Sequence, residues 1–315
     1  MTTYRGRLPQ LGDDFFLTDG GIETTLIFLE GLELPDFAAF DLFRRAEGEA
    51  TLRRYFATYA ALARRFQTGL ILESATWRAS ADWGKRLGYD GAELARANRR
   101  AIDILSDIRG QLRHHPKPVV ISGCVGPRGD GYNPAQTMSE AEAEAYHAEQ
   151  IETFADTAAD MVTAITMNYA QEAIGIARAA QRARMPVAIS FTVETDGRLP
   201  TGQPLRAAVQ AADAATGRYP AYYMVNCAHP THFDRVLADG QPWAQRIRGV
   251  RANASRKSHA ELNESPELDK GDPAELAQQY AALKRRLPQL TVMGGCCGTD
   301  DRHVERIAAA CARPS

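Results

Sequence analysis

Leu290-Thr291-Val292-Met293-Gly294-Gly295-Cys296-Cys297-Gly298-Thr299 reads as a short apolar strand that runs into a glycine-cysteine turn. A helix follows Thr299 and is expected to end near Cys311. The same order of strand, turn and helix repeats back along the chain. Apolar runs fall at Phe15–Thr18, Gly69–Glu73, Pro118–Ser122, Met161–Thr166, Pro186–Phe191, Ala221–Val225 and Ile247–Arg251, which with Leu290–Met293 makes eight. None alternates cleanly between apolar and polar residues. That is the pattern of parallel strands buried on both faces, not of a half-exposed sheet.

Amphipathic segments separate the runs. Between Gly48 and Gln67, Leu52, Tyr55, Phe56, Tyr59, Leu62 and Phe66 recur at helical spacing. Asp90 with Glu93, and Ser139 with Glu142, are capping pairs that open helices running to about Leu112 and Thr157. Asp272-Pro273, with Glu275 in the first turn, opens another that runs to about Arg286. Alternation of this kind implies right-handed βαβ units. Eight units point to an α/β fold closed as a single (β/α)8 TIM barrel, with a doubly wound open sheet as the alternative. No GxGxxG follows the first run, so the dinucleotide fingerprint is absent. A barrel takes roughly 250 residues plus insertions. The units therefore use nearly all of the chain, and the expectation is one domain over residues 1–315. Gly20–Arg45, Gly123–Thr137 and Asn253–Gly271 look irregular. In a barrel they lie over the C-terminal mouth, where active sites sit.

Composition removes several classes of function. With 44% hydrophobic and 24% charged residues the chain is an ordinary globular protein, not a disordered one. Its 37 basic and 39 acidic residues leave a net charge of −2, with no basic excess for nucleic acid or an anionic membrane. No apolar stretch approaches the roughly 18 residues of a membrane span. The opening MTTYRGRLPQLGDD lacks the apolar core of a signal peptide. The expectation is a cytoplasmic protein that handles small molecules, with no nucleic-acid or membrane partner and an oligomeric state left open.

Five cysteines, Cys124, Cys227, Cys296, Cys297 and Cys311, are an odd count that does not suggest a disulfide framework. Neighbours such as Cys296 and Cys297 rarely bond each other. Cys227 follows the sixth run directly and the Cys296-Cys297 pair follows the eighth. In a barrel these strand ends open on one mouth two strand spacings apart, each roughly 5 Å. Three thiolates converging there would suit a zinc ion with its fourth position open. The alternative is that the cysteines are small core residues, which fits Cys124 and Cys311 better than the glycine-flanked pair. His229 and His232, in His-Pro-Thr-His, are possible extra ligands. Pro230 disrupts a shared helical face, so they are read as solvated residues at a helix start. His114, His115 and His259 have no partner motif and are read as surface residues.

These residues carry a family resemblance. The chain resembles the homocysteine S-methyltransferase family in Leu17-Thr18-Asp19-Gly20-Gly21, Ser122-Gly123 with Gly126-Pro127, Ser190-Phe191-Thr192, Asn226-Cys227 and Gly294-Gly295-Cys296-Cys297-Gly298. The pieces run in the family's order and span nearly the whole chain; Asn-Cys and GGCCG together are specific, whereas DGG alone is not. The resemblance implies a (β/α)8 barrel, zinc held by Cys227, Cys296 and Cys297, and transfer of a methyl group to the thiol of homocysteine. Thiols are mostly protonated at neutral pH, and coordination deprotonates them. A bound thiolate would take the methyl group in line from a sulfonium or quaternary ammonium donor, with no base needed at that moment.

The resemblance also places substrate contacts. Asp19 is first choice for the homocysteine ammonium, the backbone at Gly20 and Gly21 for its carboxylate, and Glu23 and Thr24 are neighbours facing the mouth. Asn226 is expected to support the Cys227 loop. Two departures bear on the acceptor. Ile165 stands where the family has a glutamate, and Glu73 is a carboxylate gained at the end of the second strand. Glu73 is therefore expected to restore the lost charge; the plainer alternative is another thiol acceptor. Trp77 offers an indole face to a methylated cation, with Trp83, Tyr132 and Phe191 as possible helpers. Glu194 and Asp196 are either donor contacts or turn residues. A metal-dependent hydrolase lacks the histidines it needs at strand ends. A non-catalytic zinc barrel is the remaining alternative. Cobalamin- and folate-dependent transfer needs further domains, so a small activated donor is expected.

Overall fold

The computed structural model describes residues 2–134, 136–238, 240–265 and 267–312. Eight parallel strands close into one barrel in chain order: β1 (Phe16–Leu17), β2 (Gly69–Glu73), β3 (Val119–Val125), β4 (Met161–Met167), β5 (Val187–Phe191), β6 (Tyr222–Asn226), β7 (Ile247–Ala252) and β8 (Val292–Gly295). The ring shuts where Phe16 pairs in register with both Gly69 of β2 and Val292 of β8. Closure settles the choice left open by the sequence in favour of the barrel over the open sheet.

Outside the strands lie α1 (Ile22–Thr24), α2 (Gly48–Phe66), α3 (Ala81–Arg86), α4 (Gly91–Gln111), α5 (Glu140–Ala155), α6 (Ala170–Arg182), α7 (Leu205–Thr216), α8 (Pro230–Leu237), α9 (His259–Asn263), α10 (Pro273–Arg286) and α11 (Asp301–Cys311). The expected caps are present. Asp90 and Glu93 form a reciprocal capping box at α4, Ser139 and Glu142 form one at α5, and Asp272 accepts from the amides of Ala274 and Glu275 at α10. Along α2 the face carrying Leu52, Tyr55, Phe56, Tyr59 and Leu62 is buried against the barrel. Each such side chain contributes roughly 1.5–3 kcal/mol of burial. Apolar residues thus sit in two places, between strands and helices and inside the barrel, where Phe16, Ile71, Val120, Met161 and Tyr222 pack together.

The lower end of the barrel is sealed by the N-terminal segment. Asp160, fully buried, accepts from the amides of Thr3 (2.7 Å) and Tyr4 (2.8 Å) and pairs with Arg109 (2.7 Å). Gln10, also fully buried, lies beside Met161 and Tyr222. What remains open is the C-terminal mouth.

Two expectations need correction. β3 runs three residues past Ser122, so Cys124 lies inside the barrel wall, not in a loop. The stretch Asn253–Gly271 is not wholly irregular, because Ser258 and Glu261 cap α9 within it; its Pro266, like Ala135 of Gly123–Thr137, lies outside the described residues. Between Gly20 and Arg45 the chain takes short helical turns, with left-handed Asp36 and Phe37, and no strand.

Candidate metal centre and substrate cavity

Cys227 follows β6 directly, and Cys296 and Cys297 follow β8 directly. Their sulfur atoms lie within 4.8 Å of one another, the one group of three metal-ligating side chains of this kind among the described residues. Four-coordinate zinc with Zn–S near 2.3 Å needs sulfurs about 3.8 Å apart. The three cysteines fit that requirement once they are thiols. Here Cys227 and Cys296 are joined as a disulfide and Cys297 is free. One bond is not a disulfide framework, and it does not join the neighbours Cys296 and Cys297, but it does tie two expected ligands to each other, so both must be reduced to bind a metal. Cys124, buried in the β3 wall, and Cys311, buried on α11, take no part in the cluster, as their reading as core residues requires.

The backbone is bent to bring the sulfurs together. Cys227 has a left-handed φ of 52°, and Thr166 at the end of β4 one of 67°, at a shift in the β4–β5 register. Such conformations cost of order 1–3 kcal/mol and persist only where neighbours enforce them. The Cys227 carbonyl accepts from the His259 ring (2.6 Å), Asn253 Nδ2 (3.1 Å) and Thr192 Oγ1 (3.4 Å). Asn226, fully buried, accepts at Oδ1 from Thr166 N–H (3.0 Å) and Ser190 Oγ (2.6 Å), and donates from Nδ2 to Thr166 Oγ1 (2.8 Å). It lies beneath the cavity and is not among its lining residues. It therefore ties β4, β5 and β6 together under the sulfurs. Gly21 has no room for a side chain, because a Cβ would collide with the Cys296 carbonyl.

Above the sulfurs is a cavity of about 70 Å³, lined among others by Asp19, Gly20, Gly21, Glu23, Glu73, Trp77 and Ile165. Since one water takes roughly 10–15 Å³ on this measure, the space suits a small molecule and not a large cofactor. Six of the seven substrate contacts expected from the sequence thus border one space; Asn226 is the exception.

Their charges are not free, however. Arg251, at the end of β7, donates from Nη2 to Asp19 (2.6 Å), from Nη1 to Glu73, and from Nε to the Gly295 carbonyl (3.1 Å). Tyr55 donates to the other Asp19 oxygen (2.9 Å). Burial pushes both carboxyl groups up, and Arg251 opposes it. Burial alone would lower the guanidinium, but Asp19 and Glu73 outweigh it and push it further up. Glu73 therefore does not replace the charge missing at Ile165 as an unpaired anion, because an arginine that the sequence reading missed already neutralises it. Glu23 is in no ion pair with another described residue. Its carboxyl is pushed up to about 7, by burial first and by Asp19.

Other expected contacts divide cleanly. The Gly21 amide donates to the Thr299 carbonyl (3.0 Å) and so is engaged. Trp77 lines the cavity, with its indole N–H given to the Ile165 carbonyl (3.3 Å). Tyr132 also lines it, and its hydroxyl lies 3.6 Å from Cys297 Sγ. Phe191 does not: it is fully buried and stacked on Tyr223. Trp83 is occupied by Arg78 and Arg86, whose guanidinium carbons lie 3.6 and 4.6 Å from its ring centre. Glu194 pairs with His259 (2.9 Å), and Asp196 closes a turn on the Arg198 amide.

The histidines depart furthest from their reading. His259, expected at the surface, is 6% exposed, stacks on Tyr132 and holds the Cys227 carbonyl. His229, expected in solvent, is 3% exposed and caps α8 through Thr231. Burial, with His232 and Arg256 nearby, lowers it to about 4. Neither joins the cysteine cluster. His259 is revealed only by the fold, because Glu194 and the Cys227 carbonyl belong to other units, whereas the partner of His229 is its near neighbour Thr231.

The profile of the homocysteine S-methyltransferase family matches residues 16–311. No curated protein matches the chain. Among solved structures, the oxidized form of the homocysteine methyltransferase MmuM from Escherichia coli superposes with a TM-score of 0.75 at 20% identity, covering 95% of this chain and 96% of that one. Its metallated form gives 0.72 at 20% identity, covering 94% and 96%. Its apo form gives 0.65 at 18% identity, covering 95% and 96%. At these identities the likeness speaks for the barrel fold, while the profile match speaks for the family.

Proposed function

Because the chain belongs to the homocysteine S-methyltransferase family and so is a methyltransferase, we propose that it moves a methyl group from a sulfonium or quaternary ammonium donor to the thiol of homocysteine, giving methionine. The observation that carries this reading is the convergence of Cys227, Cys296 and Cys297 at the floor of a small cavity. Zinc, held by those three residues, would supply a Lewis acid that keeps the acceptor sulfur deprotonated near neutral pH.

The residues do the rest. Asn226, His259 and Asn253 fix the Cys227 turn, so the sulfurs are aimed before any ligand arrives. The acceptor sulfur forms a bond to the donor's methyl carbon, the carbon–onium bond breaks, and its electron pair stays on the now neutral donor. No side chain has to move a proton in that step. Glu23 is placed to face the acceptor's ammonium or the donor's positive charge, since Asp19 and Glu73 are held by Arg251. Trp77 borders the same space and offers an aromatic surface to a methylated cation.

A second reading rests on Ile165 and Arg251: with no carboxylate at residue 165 and two others both paired with Arg251, the acceptor is a thiol other than homocysteine. Under either reading the chain is a single domain over residues 1–315 acting in the cytoplasm on small molecules. No helix among the described residues is long and apolar enough to cross a membrane.

The test is consumption of acceptor thiol by the reduced, zinc-loaded protein, with S-methylmethionine, S-adenosylmethionine or glycine betaine as donor. Homocysteine is expected to be consumed with at least one of them, and a chelator is expected to stop the reaction until zinc is returned. Consumption of a different thiol instead supports the second reading. No consumption with any pair contradicts both.

A further inference from the structure

Arg78 follows the cavity residue Trp77 in the β2–α3 connection and is 7% exposed. Its one hydrogen bond runs from Nη1 to the Gly129 carbonyl (3.1 Å), and its buried Nε has no hydrogen-bond partner among the described residues. It is in no ion pair with another described residue. The guanidinium is held between two indoles, with its carbon 4.2 Å from the Trp77 ring centre and 3.6 Å from that of Trp83. A buried charge is normally paired, because leaving water costs far more than one neutral hydrogen bond returns. Even the exposed neighbouring arginines are paired, Arg86 with Asp36 (2.8 Å) and Arg128 with Asp82 (2.7 Å). The carboxylates that Arg78 senses are committed elsewhere, Asp36 to Arg86 and Asp130 to the amides of Tyr132 and Asn133.

Arg78 borders a groove that opens beside the central cavity. Gly129 and Asp130 line the groove and Tyr132, two residues on, lines the cavity. Trp77 lines the cavity, and Arg78, on the groove side, lies over its ring. Glu23 lies on the cavity side, close enough for the two charges to act on each other yet not paired. The mouth thus offers an unpaired carboxyl group inside and one unpaired cation at its edge, the complement of a substrate that carries a cationic group and a carboxylate.

Resting on the reading of a methyltransferase for small onium and thiol substrates, we propose that Arg78 is the carboxylate-recognition residue of this site. It takes the carboxylate of a substrate whose reacting end lies over the cysteines. The same chemistry could come from the acceptor or from the donor, and kinetics separates them. In Arg78→Gln, the KM of the substrate that brings the carboxylate is expected to rise about 10–100-fold, the loss of a charge-assisted hydrogen-bond pair. The KM of the other substrate is expected to stay within about twofold. Arg78→Lys, which keeps the charge, is expected to fall between, and Arg182→Gln, a surface arginine paired with Glu144 away from the groove, to match wild type.

A probe independent of turnover is propionate, followed through the fluorescence of Trp77 and Trp83. Wild type is expected to bind it and Arg78→Gln to lose it at least tenfold. Propionate that fails to bind wild type, or that binds Arg78→Gln equally well, overturns the carboxylate site. Propionate binding that depends on Arg78 in a protein with no methyl transfer supports the site and overturns the reading of function instead.

Discussion

Cys297→Ser is expected to lower kcat/KM for methyl transfer by roughly 100-fold or more while leaving the barrel folded. Partners that merely orient ligands are worth about 10–100-fold in affinity or activity, and Cys297 would be a ligand itself. An acceptor thiol left without activation, at a reference pKa near 8.5, is only about 3% ionised at neutral pH. The fold should tolerate the change. Cys297 is partly exposed at the cavity floor, and its side chain meets only the Tyr132 hydroxyl at 3.6 Å among the hydrogen bonds described. Steady-state kinetics beside a thermal melt separates the two effects. A variant within tenfold of wild type would remove Cys297 from the centre.

Arg251→Met is expected to cost about 3–5 kcal/mol of stability, the usual loss when one partner of a buried ion pair is removed. Against a typical total of about 5–15 kcal/mol, that unfolds a large fraction of the protein or nearly so. The reason is that Asp19 and Glu73, each 5% exposed, would be left with no counter-ion. Both carboxyl groups already titrate above their usual range because of burial, and removing Arg251 pushes them higher. A raised carboxyl pKa contributes stability that is present below its unfolded value and lost as pH rises through the folded one. The deficit of Arg251→Met should therefore be larger near pH 8 than near pH 5, as urea midpoints would show. Adding Asp19→Asn and Glu73→Gln should recover much of it. A small deficit that does not vary with pH would mean that the triad is not a coupled unit.

The barrel and its cluster of three cysteines were legible in the sequence for a shared reason. Unbroken apolar runs, capping pairs and the glycine-cysteine turn are local signals, and each is complete within about twenty residues. Asp90 with Glu93 needs no knowledge of the rest of the chain. The charge balance of the cavity was not legible. Arg251 finds Asp19 and Glu73 at sequence separations of 232 and 178 residues, and only ring closure between β1 and β8 brings them together. In isolation, Arg251 is one polar residue at the end of an apolar run. His259 was misread in the same way, because the Cys227 carbonyl it holds belongs to another unit. The nearness of Cys227 and Cys296 was expected from the barrel, but residue types alone do not say whether two such thiols are bonded to each other. Residue types at strand ends thus revealed which chemistry is present, whereas the balance of charge around it depended on contacts that only the fold creates.

The account turns on whether these three cysteines hold a metal. The direct measurement is zinc per chain, by elemental analysis of protein purified under reducing conditions without added metal. The account predicts a ratio near one in wild type, and a ratio near zero in Cys297→Ser and in protein left with Cys227 and Cys296 oxidised. A ratio near zero in reduced wild type that added zinc does not raise would contradict it, leaving the cysteines as packing and the proposed transfer without its activator.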